Sequence, residues 1–311
     1  ITTSGKENRL LRLIDMLTHI CPQRPHYSLA QIDVFSGKAF LYAQICTKFL
    51  NLLRKPIVLT LHGGQLPNFS KKNTKRVHRV LQAASVVVTP SPYIQTALAH
   101  FRSDIQLIPN PIDLTSAIFR LREKPKPNLI WVRAFHAVYN PSLVPKVIKG
   151  LEADFPEITC LMLGPDKGDG SLEEVKDTAK KLGVEKKVII VGSVPHPEIP
   201  KWLDRADIFI NTSNYDTAPR SLLEAMANGL CAVSTDVGGV PWIINDNISG
   251  LLVPPDDAEA MVKAITQILS NPDFAQKLSQ EARKRAEQND WSAILPPWEN
   301  LFSKIISSIK S

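Results

Sequence analysis

Paired cysteines, metal-ligand spacing, long apolar runs and internal repeats are all missing from this 311-residue chain, and each absence removes a class of protein. Its 4 cysteines, Cys21, Cys46, Cys160 and Cys231, are scattered, with no C-x-x-C pair and no clustered histidine. That argues against a disulfide scaffold and a zinc site, and a reducing cytoplasm is the expected compartment. The longest apolar stretch, AFLYAQICTKFLNLL (39–53), is interrupted by Gln44, Lys48 and Asn51, so it is too short and too polar to cross a bilayer. No signal peptide is legible. The Gly-rich stretch GPDKGDGS (164–171) lacks the Gly-Lys-Ser/Thr of a P-loop, which leaves ATP hydrolysis without support. Acidic residues are scarce in one half only. Residues 1–125 hold 17 Lys and Arg against 6 Asp and Glu, a balance of +11, whereas residues 126–311 hold 20 against 24, a balance of −4. A basic half implies a negatively charged partner, whether a phosphorylated substrate, an anionic lipid surface or nucleic acid. Nucleic acid is the least expected, because aromatics are not interleaved with the cations.

What is present is a steady alternation of strands and helices. Short β-branched runs fall at 31–35, 56–61, 85–90 and 104–109, with helical patterns near 38–53, 72–83 and 92–101 between them. Further strands are expected at 128–132, 158–163, 187–192, 206–212, 231–236 and 250–254, and after residue 256 only helices follow. Continuous apolar strands alternating with helices imply parallel sheets covered on both faces, hence doubly wound α/β. The length exceeds that of a single core, so two domains are expected. FRLREKPKPN (119–128), with its charges and two prolines, reads as an exposed linker. The divisions expected are a first domain over 1–122, a second over 123–290 and a terminal helix over 291–311.

In open parallel sheets, ligands bind beyond the carboxyl ends of the strands. NYDTAPRSLLEAM (214–226) follows such an end. Pro219 suits the first helical position, which leaves Ala218 as a poor N-cap, about 1 kcal/mol worse than Ser or Asp. The amides of Arg220 and Ser221 then seek an acceptor, and a phosphate would satisfy them. Glu224 shares their helical face, while Leu222, Leu223, Ala225 and Met226 cover the sheet. Its carboxylate can accept two hydrogen bonds from a vicinal diol such as a ribose; alternatively it merely pairs with Arg220, an orientation worth roughly a few tenths of a kcal/mol. Asp216 is either a loop acid capping the helix or a sugar contact. Arg133, at the end of strand NLIWV, is placed for a switch-point ligand or is a surface arginine. His62 in LHGG (61–64) ends another strand, with Gly63 and Gly64 allowing close approach of backbone to ligand. His136 is a candidate of the same kind, and Gly238 and Gly239 read as turn residues. KKNTKRVHR (71–79) gathers Lys71, Lys72, Lys75, Arg76 and Arg79, with His78, on one helix: a solvated face or a docking surface for anionic lipid.

The stretch DTAPRSLLEAMANGLCAVSTDVGGVPWII (216–244) resembles the signature of retaining GT-B glycosyltransferases of family 4, with IPNPID (108–113), LHGG (61–64) and the arginine after the second domain's first strand in support. The resemblance covers nearly the whole chain. It implies two Rossmann-like domains facing a cleft, the first binding the acceptor and the second a nucleotide-diphosphate sugar. Glu224 would hold the ribose hydroxyls, and Thr217, Ala218, Pro219, Arg220, Ser221 and Leu222 would face the sugar and diphosphate, chiefly through amides. Asp216 stands where the family has a glutamate near the donor sugar, with a reach one methylene shorter. Arg133 would grip the diphosphate. The lysine that usually follows is absent, Val138, Tyr139 and Asn140 occupying its neighbourhood, and Lys167 is a substitute to consider. Gly192, Ser193 and Val194 would frame the base; His62 would lie in the cleft near the transferred sugar and join Arg133 and Asp216 as a catalytic residue, and Gly63, Gly64 and His136 would line the acceptor side of the cleft. No metal and no cofactor beyond the donor are expected, and the acceptor is a glycan or lipid-linked glycan. The terminal helix is expected to return to the first domain. Because the chain opens at ITTS (1–4), which reads as a strand end, one further strand and a Gly-rich loop are expected upstream. A nucleotide-sugar epimerase of the same fold and a non-catalytic binding module are the other readings.

Overall fold

The computed structural model describes residues 8–310, and the expected strand end at ITTS lies outside them. The chain divides into two compact units, one running to Pro109 and resuming at Ile294, the other covering Asn110–Ala293.

The first unit opens with α1 (Arg9–Ile20), followed by β1 (Ala30–Val34), α2 (Phe40–Leu52), β2 (Ile57–Leu61), α3 (Leu66–Lys72), α4 (Thr74–Gln82), β3 (Val86–Thr89), α5 (Pro92–Leu98) and β4 (Gln106–Leu107). The strands form one parallel sheet in sequence order. Both faces of β2 are covered: Ile57, Leu59 and Leu61 join one core with Phe40, Leu50 and Val77, while Val58 packs with Val88, Ile108, Ile294, Leu301 and Ile305 on the other. The basic stretch 71–79 is not one helix. Asn73, at φ −130° and ψ 36°, separates α3 from α4. Its side-chain amide donates to the Phe69 carbonyl, and this competition with the helical ladder is why asparagine favours such breaks.

The second unit contains β5 (Asn128–Val132), α6 (Leu143–Leu151), β6 (Thr159–Leu163), α7 (Ser171–Leu182), β7 (Val188–Gly192), α8 (Ile199–Leu203), β8 (Ile208–Asn211), α9 (Arg220–Ala227), β9 (Cys231–Thr235), β10 (Leu251–Val253), α10 (Ala258–Ser270) and α11 (Pro272–Glu287); α12 (Trp291–Lys310) ends the described chain. Its six strands are all parallel, in the order β10-β9-β8-β5-β6-β7. Alternate residues of β5 feed opposite cores, Leu129 and Trp131 on one face and Ile130 and Val132 on the other, so the strand reads as continuously apolar. The chain runs outward from β5 through β6 and β7, then returns to place β8 on the opposite side of β5. That reversal makes the β5/β8 carboxyl ends the topological switch point.

The expected linker at 119–128 and the boundary at 122 are displaced. The division falls between Pro109 and Asn110, and the charged stretch belongs to the second unit. Arg122 is buried, donating through Nη1 to the carbonyls of Arg120 and Asn228 and through Nη2 to Ala206 O at 2.9 Å, with Asp207 beside it. Arg120 joins this cluster through Asp204 and Asp207, while Glu123, Lys124 and Lys126 of the same stretch are exposed.

Candidate functional site

Everything at the switch point is set by how β5 and β8 end. The buried indole of Trp131 donates to Thr212 Oγ1 at 2.9 Å, and that hydroxyl donates to the Tyr139 carbonyl at 2.7 Å. Thr235 Oγ1 donates to Ser213 O at 2.6 Å, so the loop after β8 is held from both neighbouring strands. Arg133 leaves β5 into this corner and pairs through Nη2 with Asp216 Oδ2; the side chains are only 15% and 10% exposed. Tyr139 lies under the guanidinium, 5.0 Å from ring centroid to Cζ. Asp216 is further bound by the Thr217 amide at 2.9 Å, with Ser213 Oγ 3.4 Å away. Burial pushes its carboxyl above the ordinary range, against the opposing pull of Arg133.

Two glycines seat this pair. At Gly164 (φ +145°) a Cβ would lie 1.7 Å from the Arg133 carbonyl oxygen, and at Gly238 (φ +53°) one would lie 1.9 Å from that of Asp216. Gly238 and Gly239 therefore do more than turn the chain: the Gly239 amide donates to Asp216 O at 3.0 Å. Asp216, expected as either a loop acid capping the helix or a sugar contact, is here the buried partner of Arg133. The Thr217 amide is engaged by the Asp216 carboxylate.

Helix α9 starts one residue later than expected. Pro219, not Ala218, is the N-cap, at φ −66° and ψ 109°, with no capping side chain. Proline's fixed φ fits that extended position. Asn110 Nδ2 holds the Ala218 carbonyl at 3.0 Å. Among the described residues, nothing accepts from the amides of Arg220, Ser221 and Leu222, and Leu223 is the first to bond back, to Pro219 O at 3.4 Å. Ser221 Oγ and Arg133 Nε are likewise buried without a partner. The side chain of Leu222 is fully buried in the core, so only its amide is available.

Glu224 stands one turn onward, its side chain 17% exposed. Arg220 pairs with it loosely, Nη2 lying 3.8 Å from Oε1, and His196 Nε2 reaches the same Oε1 more closely, at 2.9 Å. His196 follows β7, just past Gly192, Ser193 and Val194, and lies at the same carboxyl edge. It went unmarked in the sequence although its place after a strand was a usable signal. A recess of about 260 Å³ opens here, lined among others by Arg133, Tyr139, Gly164, Ser193, His196 and Ser221, with Val194 also on its wall.

Other candidates fall outside this recess. Lys167 is exposed on its loop and does not line the cavity. His136 is a local cap: Nδ1 accepts from the Val138 amide at 3.1 Å and Nε2 lies 3.8 Å from Asp169. The Ala137 amide, followed by Ser171 beside it, holds Asp169 down to about 2. In the first unit, His62 ends β2 with Nε2 3.3 Å from Asp33 Oδ1 and its ring stacked on Phe35 at 5.4 Å. Neither partner was foreseen. Gly63, at φ +90°, and Gly64 follow it. Of the basic residues there, Arg76 is engaged with Gln44 Oε1 at 2.9 Å, whereas Lys71, Lys72, Lys75 and Arg79 are exposed. A roomier hollow of about 790 Å³, lined by Lys75, His78, Arg79, His100 and Phe101 among others, has no unpartnered buried group, so volume alone does not mark a site. Among the described residues, no helix is long and apolar enough to cross a membrane.

Residues 116–285 match the family described as Glycosyl transferases group 1, and residues 10–116 match Glycosyltransferase Family 4. TuaC of Bacillus subtilis (strain 168) is 30% identical over 226 residues, covering 68% of this chain and 54% of that protein. A Campylobacter jejuni protein, named as an N-acetyl-D-galactosaminyltransferase acting on a diphosphoundecaprenol-linked glycan, is 26% identical over 208 residues, 66% of this chain and 56% of its own length. The chain thus spans little more than half of these relatives. Among solved structures, sucrose-phosphate synthase from Thermosynechococcus elongatus superposes with a TM-score of 0.84 at 19% identity, covering 99% of this chain and 81% of that one. Anabaena HepE in complex with UDP-glucose gives 0.81 at 19%, covering 96% and 84%. At such identities these two similarities establish the GT-B fold alone.

Proposed function

The chain belongs to the glycosyl transferases group 1 family, and we propose that it moves a sugar from a nucleotide-diphosphate donor to a glycan or lipid-linked acceptor with retention at the anomeric carbon. One observation carries the reading. Three unbonded amides at the start of α9, the partnerless Ser221 hydroxyl and a guanidinium with a spare buried N–H converge at the sheet's switch point. A diphosphate has the oxygens and the charge that such a set lacks. Glu224, one turn on, retains Oε2 for a ribose diol. The binding of UDP-glucose by HepE, a protein of the same fold, supports a nucleotide-sugar ligand, and the diphosphoundecaprenol of the Campylobacter protein's name supports a lipid-linked acceptor.

The transfer breaks the bond from the anomeric carbon to the β-phosphate oxygen and forms one to the acceptor oxygen on the same face. The acceptor's proton passes to the departing phosphate, so no protein base is required. Charge grows on that phosphate, and Arg133 with the α9 amides stabilises it; loss of one such donor typically costs about 10²–10³ in turnover. Asp216 acts behind Arg133, fixing its orientation. His62, Gly63 and Gly64 belong to the acceptor side. Lys71, Lys72, Lys75 and Arg79 supply electrostatic attachment to an anionic leaflet, about 1 kcal/mol per residue near the surface.

Titration calorimetry against UDP-, GDP- and ADP-linked sugars tests the donor reading, and failure of all three to bind would sink it. NMR of the anomeric configuration in the product tests retention, which an inverted linkage would overturn. Lys75→Glu with Arg79→Glu should abolish salt-sensitive binding to anionic vesicles; unchanged binding would remove the membrane from the proposal.

A further inference from the structure

We propose that His196 is a positioning residue for Glu224, locking the carboxylate so that one oxygen faces the donor's ribose; this rests on the donor reading above. The two in-chain contacts of the Glu224 carboxylate, His196 Nε2 at 2.9 Å and Arg220 Nη2 at 3.8 Å, both fall on Oε1, and none of the described residues reaches Oε2. A carboxylate held at one oxygen has lost most of its rotational freedom yet keeps the other free to accept. Two hydroxyls of a vicinal diol need that combination: a fixed plane and an open edge.

His196 is unusually well prepared for such a task. It lies in Ser193-Val194-Pro195-His196-Pro197, between two prolines that restrict the backbone on either side. A short 3₁₀ turn, His196–Glu198, begins at the histidine, and the Glu198 amide closes back onto the Pro195 carbonyl at 2.9 Å. The imidazole is therefore presented by rigid chain although its side chain is 67% exposed, and little entropy is lost when it engages Glu224. Because an ionised carboxylate only accepts, Nε2 carries the proton in this contact. Neither the charge of His196 nor its packing is needed; a side-chain N–H at that point suffices. His196 also lines the recess that holds Arg133 and Ser221, so it joins the diphosphate side of the site to the ribose side.

A double-mutant cycle on binding of UDP, GDP and ADP isolates this role. His196→Ala should weaken nucleoside-diphosphate binding by about threefold to fivefold, the upper part of the range of a partly exposed charged contact. In a Glu224→Gln background the same change should shift affinity by less than about twofold, because the group being positioned is already altered. His196→Gln, which keeps an N–H donor, should restore binding to within about twofold of the parent. Equal losses in both backgrounds, or no rescue by glutamine, would overturn the inference while leaving the donor site standing. So would parent-like affinity in His196→Ala. If the unaltered protein binds none of the three nucleotides, the donor reading fails and this inference fails with it.

Discussion

The second unit buries two arginine–aspartate clusters, and they are built to opposite ends. Arg122 spends both terminal nitrogens on three main-chain carbonyls; its Nε lies 3.4 Å from Asp207 without hydrogen-bonding it, and Asp207 accepts from Arg120 and the Lys126 amide. Arg133 has one aspartate, an aromatic ring beneath it and a buried Nε facing nothing, beside three unbonded amides. Burial lowers the Arg122 guanidinium to about 10, with the neighbouring Arg120 charge acting in the same direction, yet it remains a cation at neutral pH. Both arginines keep an unpartnered Nε, so the surroundings make the difference: a buried cation whose terminal nitrogens serve main-chain carbonyls holds chain together, and one set beside unbonded amides waits for an anion. The comparison separates a scaffold from a site without reference to any relative.

The sharpest way to break it is to cut both clusters and compare. Arg122→Ala removes the donors of three carbonyls and leaves Asp207 without its buried neighbour, so it should cost about 3–5 kcal/mol in urea unfolding. Arg133→Lys keeps a cation for Asp216 but loses the planar fork, and should lower turnover by about 10²-fold. Its unfolding free energy should stay within about 1 kcal/mol of the parent. If Arg133→Lys proves as destabilising as Arg122→Ala, both clusters are scaffold and the distinction is void.

A smaller effect tests the seating of the pair. Gly183 and Gly238 share a left-handed backbone, φ +71° and +53°, but a Cβ at Gly183 meets nothing within 4 Å whereas one at Gly238 would strike Asp216 O. Gly183→Ala should cost only the backbone term, about 1 kcal/mol, and leave nucleotide affinity alone. Gly238→Ala should add about 1–3 kcal/mol of strain and weaken nucleotide binding, because the loop must move to admit the methyl. Equal behaviour of the two variants, read by calorimetry and urea unfolding together, would show that Gly238 is merely a turn.

How much of this was legible beforehand follows from which physics is local. The central strands were visible because they are apolar on both faces, whereas β1 exposes Gln31 and Asp33 and β4 is exposed throughout; the strands' carboxyl ends pointed to Arg133, His62 and the start of α9. The uncapped proline turn and the acid one turn onward were likewise visible, since helix spacing puts them on one face. Pairing across 83 residues was not, so Arg133 and Asp216 appeared as two independent candidates. The stretch 119–128 misled for a related reason: charge and proline argue for solvent unless a buried aspartate and free carbonyls wait elsewhere in the chain. His196 was legible as well, two residues past Val194 at the same strand end. Lys167 was sought for its charge alone, and its loop turns it to solvent.

The least conspicuous consequence of the comparison concerns pH. Asp216 has its carboxyl raised by burial despite Arg133, so the native state takes up a proton more readily than the unfolded chain does. Its stabilising contribution is therefore complete below the unfolded pKa, about 3.9, and is lost as pH rises through the folded value. Asp216→Asn cannot titrate. The stability of the parent relative to that variant should be greatest near pH 4 and should decline as pH rises, by about 1.4 kcal/mol for each unit of displacement, before levelling off. Urea unfolding of both proteins at half-unit intervals from pH 4 to 8 gives the curve directly. A difference that grows with pH would mean that Arg133 holds the ionised carboxylate more strongly than burial opposes it. The pair would then be a satisfied ion pair of the scaffold kind, and Arg133 would have far less charge left for a phosphate.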